Sequence, residues 1–327
     1  MRIILGIMVL ALALSLWLFF SRQQPAAPTQ SEEKILVVAS IFPLADWLRE
    51  IGGSEVEVHC LVSGGANPHH FEPSIKDVSL LNRAKAIFVV GLQLDPWAEK
   101  LAANTGRREE LELFVTSKWI TPRHIGATKS IEIQAHQLSA DEHGHDGDKH
   151  HHSGNEDPHY WLDPARAASV VKHMGEELGR IDPPHRELYA QRAVLYQEKL
   201  GDLSREIEQA LRMIPAGSKL VTFHDAYGYL LDRLGVTLAA VIQASPGVEP
   251  SLRDMSEGIQ IMRDIRQSNV FYEPASSMTE ATMVAHELNI PLVLLDPMDT
   301  EMSEAGKSYL ERERHNIHVL IDALAVR

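Results

Sequence analysis

From residue 34 onward, apolar positions come in two alternating forms: short unbroken runs, and longer stretches with apolar residues three and four apart. An unbroken run of aliphatic residues suits a strand buried on both faces of a parallel sheet, and the three-and-four spacing suits an amphipathic helix. This pattern predicts strands over 35–39, 56–62, 86–90 and 111–116. Helices are predicted over 42–51, closed by Gly52-Gly53, and from Pro73-Ser74 through Leu80. The second half repeats the alternation, with strands over 219–222, 236–242, 269–272 and 292–295. Helices follow from Asp225, from an N-cap at Ser251, over 279–288, and from about Glu304 to the C-terminus. Between the halves, a helix after Asp163-Pro164 runs to Ile181 and is broken by Asp182-Pro183-Pro184. A longer helix then spans about 185–213, where Tyr189, Ala193, Tyr196, Leu200, Leu203, Ile207 and Leu211 form one apolar stripe. At 1.5 Å per residue that helix reaches roughly 40 Å, the length of a domain. The predicted class is α/β: two lobes with mostly parallel sheets, residues 34–182 and 216–327, joined by one rigid helix within 183–215.

Residues 1–33 stand apart from this pattern. Met1-Arg2 precedes an apolar run over 3–20, and a polar, Pro-rich spacer follows. One basic residue ahead of a hydrophobic core is a secretory address. Eighteen residues also suffice to cross a bilayer, so the segment is either cleaved or retained as a membrane tether. Either way the lobes are expected outside the cytoplasm, in a periplasmic or extracytoplasmic space. No cysteine closely follows the run, which argues against a lipid anchor. The single cysteine, Cys60, excludes an intrachain disulfide or a thiolate metal cluster, and its place at a strand end predicts a buried thiol. With 31 basic against 45 acidic residues, the net charge of −14 argues against nucleic acid as a partner and is compatible with attracting cations.

Charge alone names no cation; histidine does. Seven of the 17 histidines fall within 136–164, interspersed with carboxylates, including His143, His145, His150, His151 and His152 in a loop over 136–154. Imidazole is a good donor for zinc, copper and nickel, so this loop reads as an accessory metal collector. The predicted topology supplies the other candidates. His69 follows the second strand, His224 lies just beyond strand 219–222, and Asp296 directly follows strand 292–295. Ligands of open α/β sheets bind outside the carboxyl ends of the strands, so two lobes can aim these residues into one cleft. His159 follows the histidine-rich loop, just before a helix. Three imidazoles and one carboxylate suit a tetrahedral Zn²⁺ site.

Four ordered motifs carry a family resemblance: Asn67-Pro68-His69-His70-Phe71-Glu72-Pro73-Ser74, Asp157-Pro158-His159-Tyr160-Trp161-Leu162, Thr222-Phe223-His224-Asp225-Ala226-Tyr227-Gly228-Tyr229 and Leu295-Asp296-Pro297. Over residues 34–327 the chain resembles the metal-binding solute-binding proteins of ABC importers, and the zinc-uptake branch matches best. The resemblance implies a C-clamp of two lobes holding metal between them through His69, His159 and His224, with Asp296 or water as fourth donor. Manganese and iron relatives tend to carry Glu where this chain has His224. It further implies a monomeric receptor that hands Zn²⁺ to a membrane permease and carries no catalytic residue. The competing readings are a zinc hydrolase using Glu72, Glu273 or Asp296 as base, a free-standing metal buffer, and manganese as cargo. Against the hydrolase stands the absence of a His-Glu-x-x-His helix.

Overall fold

The structure, a computed structural model, describes residues 34–106, 110–125, 156–243, 249–274, 278–302 and 307–325. The apolar tract over 3–20 and the histidines at 143, 145, 150, 151 and 152 lie outside them. Among the described residues no helix is long and apolar enough to cross a membrane.

The first lobe alternates strand and helix as expected. It comprises β1 (Ile35–Ala39), α1 (Phe42–Gly52), β2 (Val56–Cys60), α2 (Ile75–Leu81), β3 (Ala86–Val89), α3 (Pro96–Ala103) and β4 (Glu112–Val115). All four strands are parallel, in the order β2-β1-β3-β4. Side chains alternate across the sheet: Val37 and Ala39 enter one core, and Leu36 and Val38 enter the other. Burial on both faces explains why the central strands β1 and β3 read as unbroken apolar runs, while the edge strand β2 alternates and leaves Glu57 and His59 exposed. Helix α1 ends where Gly53 takes φ +58°, a backbone state that glycine adopts without strain. Cys60 is buried at the end of β2, and burial pushes its thiol well above the ordinary range.

The antiparallel pair β5 (Arg123–His124) and β6 (Glu156–Asp157) brackets the undescribed loop. Helix α4 (Pro164–Ile181) follows, then α5 (Arg186–Leu211), about 39 Å long at 1.5 Å per residue. The two helices approach closely at Gly175, where an added Cβ would stand 2.8 Å from Ala193 Cβ, and at Gly179, where it would stand 2.8 Å from Arg186 Cγ. The predicted stripe of α5 is buried except at its last member. Ala210 faces the core and Leu211 is 42% exposed, because the register of the final turn carries Leu211 past the packed face.

The second lobe comprises β7 (Lys219–Thr222), α6 (Gly228–Arg233), β8 (Thr237–Val241), α7 (Leu252–Asp264), β9 (Val270–Tyr272), α8 (Met278–Leu288), β10 (Leu292–Leu294) and α9 (Tyr309–Leu324). β7 pairs with β8 and β9 with β10, each pair parallel. β7 lies beside β9; the Gln267 amide accepts from Val221 N at 2.7 Å and donates to Val221 O at 3.1 Å and to Asn269 O, just before β9, at 2.9 Å. One apolar core runs from α1 through α4 and α5 into α6 and α9, so the connecting helix is packed along both lobes.

Candidate metal centre

Each histidine is fixed by its local backbone. Beyond β2 the chain turns through Pro68–His70, where the Asn67 side chain accepts from His69 N at 2.9 Å and Trp97 Nε1 donates to Pro68 O at 2.7 Å. Beyond β6, the Asp157 carboxylate accepts from His159 N at 3.0 Å and lies 2.8 Å from His159 Nδ1. Beyond β7, Thr222 Oγ1 donates to His224 O at 2.7 Å, and Glu273, just past β9, lies 3.3 Å from His224 Nδ1. This turn delays the following helix to Gly228, three residues later than the pattern predicted.

The three imidazoles converge. Their ring centroids are 5.0–5.6 Å apart, one ligand nitrogen from each lies within 4.8 Å of the others, and all three Nε2 atoms are buried. A carboxylate at Nδ1 fixes a histidine's tautomer and turns the Nε2 lone pair inward, as metal-binding histidines require. Asp157 serves His159 in this way and Glu273 serves His224. A tetrahedral zinc with Zn–N of about 2.0–2.1 Å sets its donors about 3.3 Å apart. The cluster therefore needs to tighten by at most about 1.5 Å.

Asp296, expected as the fourth donor, occupies a different place. Arg312 grips it bidentately, Nε to Oδ2 at 2.6 Å and Nη2 to Oδ1 at 2.8 Å, and Met298 N donates to Oδ1 at 2.8 Å. The Asn316 amide pins the same turn through Asp296 N and O. A carboxylate satisfied in this way is a structural anchor. Three residues on, Asp299 is buried, and its Oδ1 has no hydrogen-bond partner among the described residues. Burial, helped by the Glu273 and Asp296 carboxylates, pushes its carboxyl up to about 7 despite the His224 imidazole. Asp296 is the first carboxylate after the strand, and the left-handed Met298, φ +59°, which separates it from Asp299, leaves no mark in the sequence.

Hydrogen bonds hold the His159 segment to the second lobe. Tyr229 Oη donates to Asp157 O at 2.8 Å, Trp161 Nε1 to Pro297 O at 2.7 Å, and Tyr309 Oη to Trp161 O at 2.5 Å. A Cβ at Gly228 would meet Arg123 Nη1 at 2.5 Å and Asp157 Oδ2 at 2.8 Å, so only glycine leaves room for the pair that orients His159. Of the other described histidines, His173 stacks on Trp119 and bonds Ser169 O, and His185 pairs with Asp182.

Residues 37–323 match the family model of the zinc-uptake complex component A, periplasmic. The zinc-binding lipoprotein AdcA of Streptococcus pneumoniae R6 is 25% identical over 294 residues, 89% of this chain and 56% of that protein, so the chain spans little more than half of AdcA. The manganese ABC transporter substrate-binding lipoprotein PsaA of Streptococcus pneumoniae is 26% identical over 302 residues, 90% of each chain. A crystal structure of ZnuA superposes with TM-score 0.73 at 25% identity, covering 90% of this chain and 100% of that one. The chain therefore belongs to the ZnuA family, the metal-binding periplasmic solute-binding proteins of ABC metal importers.

Proposed function

We propose that this protein is an extracytoplasmic zinc receptor, exported by its N-terminal segment, which captures Zn²⁺ and releases it to the membrane permease of an ABC importer. The observation that carries the reading is the convergence of three imidazoles from both lobes, each with a buried Nε2 and with ligand atoms within 4.8 Å of one another. Borderline-soft nitrogen donors favour zinc over manganese, which prefers carboxylate and water oxygen. His69, His159 and His224 bind the ion, and Asp299 or a water supplies the fourth donor. Asp296 stays with Arg312. The loop over 136–154 gathers metal without forming the tight site.

Manganese is the second reading, favoured by the PsaA relative and by the buried carboxylates of Glu273 and Asp299 around His224. A competitive titration against a chelator of known affinity decides between them. The expected result is one zinc per chain bound at least about a hundredfold tighter than Mn²⁺, following the divalent stability order. Equal affinity, or tighter manganese, would overturn zinc as the cargo.

The buried acids and the site also predict opposite pH trends for the metal-free Tm and for the increment that zinc adds to it. Burial disfavours the His224 imidazolium, but the carboxylates of Glu273, Asp299 and Asp225 outweigh it and raise its pKa. Burial pushes Asp46 and Asp95 up to about 6, Asp299 to about 7 and Glu313 to about 8. Groups whose folded pKa lies above the unfolded value contribute stability present at low pH and lost as pH rises through the folded pKa. From pH 8 down to about 5.5 the metal-free protein should therefore gain a few degrees in Tm. Zinc binding needs neutral imidazoles, so the Tm increment from zinc should shrink over the same range. Calorimetry with and without zinc reads both trends, and a metal-free Tm that falls between pH 8 and 6 would contradict this.

A further inference from the structure

Strands β5 and β6 have two residues each, too few for a ladder that holds its own register in water. The second lobe braces them. Arg123 and Asp157 are cross-strand partners, and the Tyr229 hydroxyl of α6 accepts from Arg123 N and donates to Asp157 O, both at 2.8 Å. Three residues along α6, Asp232 accepts from Arg123 Nε at 2.7 Å, while Arg123 Nη1 lies 3.3 Å from Asp157 Oδ2. One guanidinium therefore touches a carboxylate of each lobe. The Asp157 side chain is 1% exposed and that of Asp232 54%, so the contact runs from the buried site to the surface.

Asp157 divides its two oxygens. Oδ1 accepts from His159 N and meets His159 Nδ1, and Oδ2 faces Arg123. A carboxylate anchored at one oxygen cannot swing at the other, so Arg123 fixes the plane in which His159 is held. Stability alone does not explain so deep an ion pair, since apolar residues of similar volume are often at least as stable. Geometry does. Helix α6 begins four residues after His224 and positions that imidazole through the chain itself. Through Asp232, Arg123 and Asp157 the same helix positions His159. These two rings are the closest of the three pairs, 5.0 Å against 5.3 and 5.6 Å.

We propose that Arg123 is a positioning residue of the metal centre: together with Asp232 it sets His159 against His224 from the second lobe, so that these two imidazoles stand as a preset pair which His69 completes. An acid on the surface of α6 thereby tunes zinc affinity without touching the ion. Groups that orient metal ligands commonly govern affinity in this way. The inference rests on the three-histidine site, and its test separates the two.

The test titrates Zn²⁺ against a chelator of known affinity on the full-length protein carrying Arg123→Met, Arg123→Lys or Asp232→Asn, each with His159 intact and again with His159→Ala. With His159 intact, Arg123→Met should weaken zinc binding about fiftyfold and Asp232→Asn about tenfold, within the range for groups that orient metal ligands. Arg123→Lys keeps the charge beside Asp157 and loses the bond to Asp232, so it should match Asp232→Asn. In the His159→Ala background none of the three should cost more than about twofold, because residues that act through one another do not add. Zinc affinity unchanged by Arg123→Met would overturn the assignment. So would an equal loss in both backgrounds, which is what an arginine that only braces the fold would give. Should Arg123→Met not fold, Asp232→Asn, altered at an exposed side chain, decides by the same two comparisons. His159→Ala binding zinc as tightly as wild type would overturn the three-histidine site and this inference with it.

Discussion

His224→Ala is expected to lower zinc affinity by on the order of 10²–10³-fold while leaving the fold intact. Structural zinc held by four donors gains roughly 10–16 kcal/mol, so one donor accounts for about 2.5–4 kcal/mol. The loss falls within the site because Glu273, which orients His224, sits on a different element and keeps its place just past β9. His159→Ala should cost as much, and it additionally leaves Asp157 with one fewer donor in a buried pocket. Isothermal titration with a zinc-buffering competitor measures both. Affinity unchanged by His224→Ala would remove the three-histidine site from the account.

The second large effect concerns stability. Arg312→Met should destabilise the protein by about 3–5 kcal/mol, because it strands the buried Asp296 carboxylate without its partner. Arg312 also donates to Thr300 O at 3.1 Å and stacks on Phe42 at 4.2 Å, so it ties α9 to α1 as well as to the turn after β10. Asp296→Asn should be milder in urea unfolding and leave zinc affinity within about tenfold, as expected of a residue that shapes the metal-site loop without touching the ion. A loss of zinc affinity for Asp296→Asn as large as that of His224→Ala would return Asp296 to the ligand set.

These two effects mark the limit of what the sequence discloses. His69 and His224 are legible because strand ends are legible: an alternating stretch locates β2, an apolar one locates β7, and strand ends are where ligands converge. His159 is legible only from its place between the histidine-rich tract and a helix and from its Asp-Pro-His motif. The long connecting helix is legible because its stripe holds for six of seven positions, Tyr189 to Ile207, failing only at Leu211. The role of Asp296 is not legible. Its partner, Arg312, lies 16 residues away on another element, and a local motif carries no record of which charge meets which. Asp299 is hidden for a related reason, since only the fold shows that its carboxylate is buried without a hydrogen-bond donor at Oδ1. Helix α3 and the pair β5–β6 also go unread. The first has only eight residues, and the second has two residues on each side of a long loop, too short to show a period.

On the receptor reading the tight zinc site is the cleft and not the histidine tract. The most direct measurement is a competitive zinc titration of the protein with and without residues 136–154. The account predicts one tight site of unchanged affinity after deletion, with only weaker, additional binding lost. Disappearance of all tight binding with the loop would contradict it and place the zinc on the tract.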